Sequence, residues 1–261
     1  GYSHTSLAKD TFIRQYQDTR RIADVLEVYL NHGIDTIIAW CGASPNLVEA
    51  MKDAQDRVGK DFILIDTPHL AWNNERIDWD RTREILDKSM SVGSTFLLPH
   101  QCSTDAMVDR TTRTIRHMDE VCRLIRERGM IPGLSTHMPE APVYADESGL
   151  DVETYIQIYN AAGVMMPVEV DWAHRIIQNA AKPVLTIKPM AAGRLIPLVG
   201  LAFPWSTIRD RDMVAVGAMT PDEAREDIEI SLSILERRAS DVTLQTTRSK
   251  KSMEKRPAPA K

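Results

Sequence analysis

Apolar residues along this chain recur in two alternating rhythms, one near 3.6 residues and one of short continuous runs. Ile13, Tyr16, Ile22, Val25, Leu26 and Tyr29 keep helical spacing and predict a helix over 11–31, ended by His32-Gly33. A strand follows over 34–41. Ser44-Pro45 then opens a helix reaching about Val58, with a capping hydroxyl and proline at the first helical position. Phe62–Ile65 is the next strand, ending in Asp66-Thr67-Pro68-His69. A polar loop holding Trp72 and Trp79 leads to a helix over 80–91, and Thr95–Leu98 is a strand ending at Pro99-His100. Residues 109–128 read as one long amphipathic helix with Ile115, Met118, Cys122 and Ile125 inward. Its arginines alternate with Asp119, Glu120 and Glu127, which describes a solvated face laced with i,i+4 pairs.

The alternation continues to the end of the periodic region. Met130–Thr136 is a strand, Pro139–Ser148 a loop or short helix, and Tyr155–Tyr159 a strand with Asn160 at its end. Val170–Ala180 is a helix. Val184, Leu185 and Ile187 form a strand buried on both faces, bracketed by Pro183 and Pro189 where missing N–H groups cost no ladder bond. An apolar helical stretch spans 197–208, Met213–Val216 is the last strand, and Thr220-Pro221 starts a helix reaching about Arg238. Beyond 238 the periodicity is lost, and 239–261 is expected to be a disordered polar and basic tail.

Strand–helix alternation every ~25–35 residues implies βα units around a parallel sheet. The expected fold is an α/β (β/α)8 TIM barrel forming a single domain over 1–238, and 261 residues suit one such barrel. Seven strands are legible where eight are needed. The chain opens at Gly1-Tyr2-Ser3-His4, so the first strand is expected to be truncated or to lie upstream, with Gly1–His4 as its trailing edge. A doubly wound open sheet is the other arrangement, but no GxGxxG turn occurs.

Composition narrows the function classes. A net charge of −5 points to neither nucleic acid nor an anionic membrane as a partner, and no apolar run approaches a membrane span. Cys41, Cys102 and Cys122 are odd in number and lack CxxC spacing, which suits free thiols in a reducing, cytoplasmic setting. A small molecule is the expected partner. The oligomeric state cannot be read from the chain.

In a parallel barrel the chemistry gathers at the C-terminal ends of the strands. Reading only those ends selects His4, Cys41, Asp66 and His69, His100, His137 and Glu140, Asn160, Lys188 and Gly217. His69, His100 and His137 follow three successive strands, so their side chains are placed to converge. Histidine there serves as proton donor, oxyanion donor or metal ligand. Asp66 can orient a histidine, take a proton or bind metal. Lys188 leaves an apolar strand and is expected to be partly desolvated, which prepares it for proton transfer or for pairing with an anion. Gly193-Arg194 and the helix start at Thr220 could approach a phosphate.

Three segments also carry a resemblance: Tyr155-Ile-Gln157-Ile-Tyr-Asn160, Ile187-Lys188-Pro189-Met-Ala-Ala-Gly193-Arg194-Leu195, and Met213-Val-Ala-Val-Gly217-Ala-Met-Thr220-Pro221-Asp222-Glu223. They resemble strands six, seven and eight of the aldo/keto reductase superfamily. Leu97-Leu98-Pro99-His100 resembles its active-site histidine strand, and Gly133-Leu-Ser135-Thr-His137-Met-Pro-Glu140 its "GVSNHxPE" strand. The resemblance implies a nicotinamide cofactor, NADP or NAD. It would place His100 beside a reacting carbonyl, Ser135 and Gln157 near the nicotinamide, and Gly193, Arg194 and Thr220 near the phosphates. The family's remaining redox residues are missing. Its Asp position appears as Ile38, no Tyr follows, and the strand that should carry its Lys ends in Asp66.

Three readings follow. One is a nicotinamide-dependent oxidoreductase with a rebuilt acid–base set, using His100, Asp66, His137 and Lys188 on a small carbonyl or sugar-like substrate. The second is an isomerase, lyase or hydrolase for a small polyol or sugar-like substrate, acid–base or metal-assisted, with Asp66, His69, His100 and His137 as ligands for Zn, Mn or Fe. The third is a non-catalytic binding barrel, which the density of titratable groups at the rim argues against.

Overall fold

A computed structural model describes residues 18–73 and 76–239. The N-terminal strand edge, the first part of the first helix and the C-terminal tail anticipated above lie outside the described residues. Within them, α1 (Thr19–Asn31) precedes β1 (Thr36–Ala39), followed by α2 (Pro45–Val58), β2 (Ile63–Asp66), α3 (Trp79–Ser91) and β3 (Phe96–Leu97). Next come α4 (Gln101–Met107), β4 (Val108–Asp109), β5 (Thr114–Ile115), α5 (Met118–Glu127), β6 (Ile131–Pro132) and β7 (Leu134–Thr136). The chain continues with α6 (Glu140–Ser148), β8 (Tyr155–Ile158), α7 (Val170–Asn179), β9 (Val184–Ile187), α8 (Pro197–Thr207), β10 (Met213–Ala215) and α9 (Pro221–Leu235).

The strands pair in parallel and in chain order: β1–β2–β3–β6 and β7–β8–β9–β10. Only Gly133 separates β6 from β7, so the two four-stranded sheets are one wall of seven strand positions. A side chain at Gly133 would not fit, because a Cβ there would lie 2.7 Å from Leu98 Cγ and from the Thr154 carbonyl. Its absence lets the fully buried Leu98 fill the barrel interior. Among the described residues β1 and β10 do not pair with each other. Instead α1 and α9 pack together through Val25, Val28, Ala224 and Ile228.

Strand parity sorts the core into two shells. Ile38, Ile65, Phe96, Leu98, Ile156, Leu185, Ile187 and Ala215 share the inner cluster, and the register aligns Ile38 with Ile65 and Ile65 with Phe96. Alternate residues face the helices: Leu64 packs with Ala50 and Met51 of α2, while Leu134, Tyr155 and Val184 join the large outer cluster with α5, α6 and α7. Inward and outward positions alternate along each strand because the side-chain period is two.

One expected element differs. Residues 109–128 do not form a single helix; β4 and β5 make an antiparallel hairpin, and α5 begins only at Met118. Asp109 turns the hairpin by accepting from the N–H groups of Thr111 and Thr112, and Arg113 and His117 both take positive φ. The arginines nevertheless behave as solvated ion pairs. Arg113 meets Glu147, Arg123 bridges Glu120 and Glu127, and Arg126 reaches Asp151 and Glu153.

The face opposite the strand ends is tied by a buried ion pair. Asp212 accepts from the Val184 N–H at 2.8 Å and from the Arg209 guanidinium, which also donates to the carbonyls of Ala180 and Lys182. This network fixes where β9 and β10 begin.

Candidate functional site

The strand-end residues divide into a group that converges and a group that does not. His69, His100, His137 and Lys188 meet over one arc of the rim. The His69 ring stacks on Trp40 (centroids 4.6 Å apart) on one side and on His100 (4.3 Å) on the other. His100 stands before α4, and its Nδ1 accepts the Cys102 N–H at 3.2 Å. Lys188 Nζ lies 3.0 Å from His137 Nε2.

The electrostatics follow from this crowding. Burial lowers the Lys188 ammonium from its usual range, with the Cys102 thiol pulling the other way. Burial, then the Lys188 charge, then His100 push His137 down to about 4. Burial, His69 and Lys188 do the same to His100, also to about 4. At neutral pH both imidazoles are therefore uncharged, and His137 Nε2 can accept a hydrogen bond from the Lys188 ammonium. Lys188 itself has φ 60°, a left-handed conformation costing a non-glycine residue about 1–3 kcal/mol. That cost falls where β9 ends, and it turns the lysine toward His137.

Asp105 of α4 positions the histidine from behind. Its carboxylate accepts the His137 N–H at 3.2 Å and the Thr136 hydroxyl, and Thr136 in turn accepts the Met138 N–H. Asp105 was not anticipated from the sequence, nor were Trp40 and Cys102. Cys102 had a visible signal, a His-x-Cys spacing just past a strand end.

Asp66 does not join the histidines. It follows the inward-facing Ile65, so parity directs it into the helix layer, where it is fully buried and accepts the Cys41 N–H at 2.9 Å. Burial raises its carboxyl above the usual range against the pull of the Ser89 hydroxyl and the Cys41 and Thr67 N–H groups. Its place anchors the turn at 41–43 and lies apart from the rim. The metal-ligand set expected from sequence is therefore not assembled. Among the described residues, the group whose ligand atoms lie within 4.8 Å of one another is His69, His100 and Cys102.

The residues expected to hold a dinucleotide are arranged differently. Ser135 faces the interior beside Ile156. Gln157 has the parity of the helix-facing Tyr155 and Tyr159; its Nε2 makes a long 3.4 Å contact to the His137 carbonyl. In the turn after β9, the N–H groups of Gly193, Arg194 and Leu195 all donate to the Met190 carbonyl, and the Arg194 guanidinium donates to the Ala191 carbonyl at 3.2 Å. At the start of α9, the Thr220 hydroxyl accepts the Glu223 N–H and the Glu223 carboxylate accepts the Met219 N–H. These backbone donors are occupied within the chain, the Arg194 guanidinium has one of its N–H groups engaged, and Asp222 and Glu223 add negative charge to the first turn of α9.

The fold is a parallel (β/α) barrel, and solved structures of aldo-keto reductases share it. An aldo-keto reductase from Klebsiella pneumoniae in complex with NADPH matches 85% of this chain and 82% of its own at TM-score 0.56 and 16% identity. The aldo-keto reductase AKR11C1 from Bacillus halodurans in its holo form matches 91% and 86% at TM-score 0.55 and 15% identity. An aldo/keto reductase from Brucella melitensis matches 91% of each chain at TM-score 0.54 and 17% identity. No family model and no curated protein matches the sequence. Likeness at this identity establishes the fold; the chemistry rests on the residues. No helix among the described residues is long and apolar enough to cross a membrane.

Proposed function

We propose that this chain is an oxidoreductase of the aldo/keto reductase fold, acting on a small carbonyl or sugar-like substrate with a nicotinamide cofactor, NADP or NAD. The observation that carries the reading is the 3.0 Å contact between Lys188 Nζ and His137 Nε2 at the barrel mouth, next to His100. The tyrosine and lysine that supply the proton in the resembled family are missing, and this pair stands in the same mouth. When bound, the cofactor supplies or accepts the hydride. Lys188 Nζ would give its proton to the carbonyl oxygen as that oxygen gains negative charge. His137 Nε2 would accept a hydrogen bond from the Lys188 ammonium and hold it in line, itself placed by the Asp105 clamp on its backbone N–H, and water at the mouth would reprotonate the lysine. A neutral His100 would donate a second hydrogen bond to the same oxygen. Removing a positioned acid of this kind costs about 10²–10⁴-fold in rate.

One observation favours a second reading. The backbone N–H groups of Gly193, Arg194, Leu195 and Glu223 are already used within the chain, so the same Lys188–His137 pair would serve a cofactor-free isomerase or lyase on a polyol. Fluorescence titration of the protein with NADPH and with NADH separates the two. Saturable quenching or enhancement supports the first; no change at millimolar cofactor removes it and leaves the second.

A further inference from the structure

His69, His100 and Cys102 stand together for a reason that acid–base chemistry does not use. Their ligand atoms lie within 4.8 Å of one another. They come from adjacent stretches of chain: His69 three residues past β2, His100 just past β3, and Cys102 in the first turn of α4. The His69 imidazole has no hydrogen-bond partner among the described residues; its contacts are the two stacked rings. The His100 ring makes one long contact, from the Cys102 N–H at 3.2 Å. Cys102 is exposed at the mouth, and its sulfur accepts only from the neighbouring Gln101 amide at 2.9 Å. Two imidazoles with few hydrogen-bond partners among the described residues and one exposed thiol thus bring nitrogen and sulfur donors together.

We propose that His69, His100 and Cys102 form a zinc site at the mouth of the barrel, with the fourth position open to water or to a substrate oxygen. The donor set selects the metal class. Imidazole and thiolate together favour zinc over manganese or magnesium, which prefer carboxylate and carbonyl oxygen. Three protein ligands with one open position is the arrangement of catalytic zinc, whereas structural zinc is closed by four. Ligand atoms around a tetrahedral zinc stand roughly 3.4 Å apart, so the trio closes on the ion by side-chain rotations that tilt the His69 and His100 rings out of their stack. Binding replaces the weak Cys102 N–H contact to His100. The thiolate formed on binding also places a negative charge beside Lys188, whose ammonium already senses that sulfur. Carboxylates are not part of the site: Asp66 faces the helices.

The zinc site shares His100 with the proposed reaction, but its test reads metal alone. The test begins with zinc and cobalt(II) titrations of the metal-free full chain. About one metal per chain is expected, and the cobalt form should show a sulfur-to-cobalt charge-transfer band with the intense visible bands of four-coordination. Cys102→Ser should abolish the charge-transfer band, while Cys122→Ala, which alters a thiol buried in α5 within the outer core, should retain it. His69→Gln and His100→Gln should each weaken zinc binding by about 100-fold or more while circular dichroism stays native. Asp66→Asn should leave the stoichiometry unchanged. Failure to bind zinc, a charge-transfer band that survives Cys102→Ser, or metal binding lost on Asp66→Asn in a folded protein would overturn it. The cofactor titration above reads neither metal nor thiolate, so the failure of one leaves the other standing.

Discussion

The two arcs of the barrel rim are built on opposite plans. On the arc from β1 to β7, chemistry-bearing side chains face one another with few partners of their own: His69 is held only by stacking, His100 by one long contact, and Lys188 reaches across to His137. On the arc from β9 to α9, where the sequence most resembles the reductases, polar groups close on themselves. The Met190 carbonyl collects three N–H groups, Arg194 binds its own turn, and Thr220 and Glu223 cap their own helix. Similarity of sequence and readiness for chemistry thus sit on different sides of the same mouth. The segments that carry the resemblance build the barrel, whereas the groups with few partners lie on the opposite arc. Lys188 belongs to both arcs: it ends β9 by sequence and joins His137 by geometry.

The contrast breaks most sharply at that lysine. Lys188→Met keeps the length and apolar stem but removes the proton. Turnover of any carbonyl or polyol substrate found by screening should fall by about 10²–10⁴-fold, with little change in thermal midpoint, since the residue relieves no core packing. Steady-state kinetics and a melting curve on the same preparation check it. A loss below tenfold would move the acid–base role off Lys188 and onto the histidine arc alone.

Beneath the closed arc, the start of β9 and β10 is tied by the Arg209–Asp212 pair. Burial pushes the Asp212 carboxyl up, but the Arg209 guanidinium and the Val184 and Arg209 N–H groups outweigh it and hold it below the usual carboxylate range. A depressed native value means that this carboxylate stabilises the fold above the unfolded carboxylate pKa of about 3.9, and that the contribution fades as pH falls through the native value. Asp212→Asn leaves Arg209 buried without its counter-charge. It should cost about 3–5 kcal/mol at neutral pH, measured by urea unfolding, with the deficit shrinking in acid. An unchanged stability would mean that β9 and β10 are held by the sheet alone.

Much of the fold was legible because its signals are local. Seven strand positions, the helix starts at Pro45 and Pro221, and the histidines past successive strands all appear in the order the sequence implied. What escaped depends on phase and partnership. Asp66 sits at a strand end like a rim residue, but one step of parity beyond Ile65 turns it toward α3. The hairpin of β4 and β5 hid in a run of arginines whose spacing fits a helix; only the turn at Asp109 and the positive φ of Arg113 interrupt it. Asp105 acts through backbone N–H groups more than thirty positions away, and no spacing rule reports such a contact. The self-capping of the β9 turn was equally invisible, because the Gly193-Arg194 pattern suits either a phosphate or a carbonyl.

That last ambiguity makes the smallest effect the most discriminating. With Arg194 donating to the Ala191 carbonyl, a contact internal to the turn, Arg194→Ala should change the dissociation constant of NADPH by less than about threefold. Were the turn to open on binding and give its guanidinium to a phosphate, the same substitution would remove a charge-assisted hydrogen bond and weaken binding by about 10- to 100-fold. The salt dependence tells the same story independently: a phosphate contact weakens as ionic strength rises, whereas an internal carbonyl contact does not. Left-handed conformations at Lys188, Ala191, Ala192 and Gly193 in one short stretch show that the turn is held against backbone preference. A large effect of Arg194→Ala would therefore identify that strain as the stored means of opening, and a small one would identify it as the way the chain sets Lys188 against His137.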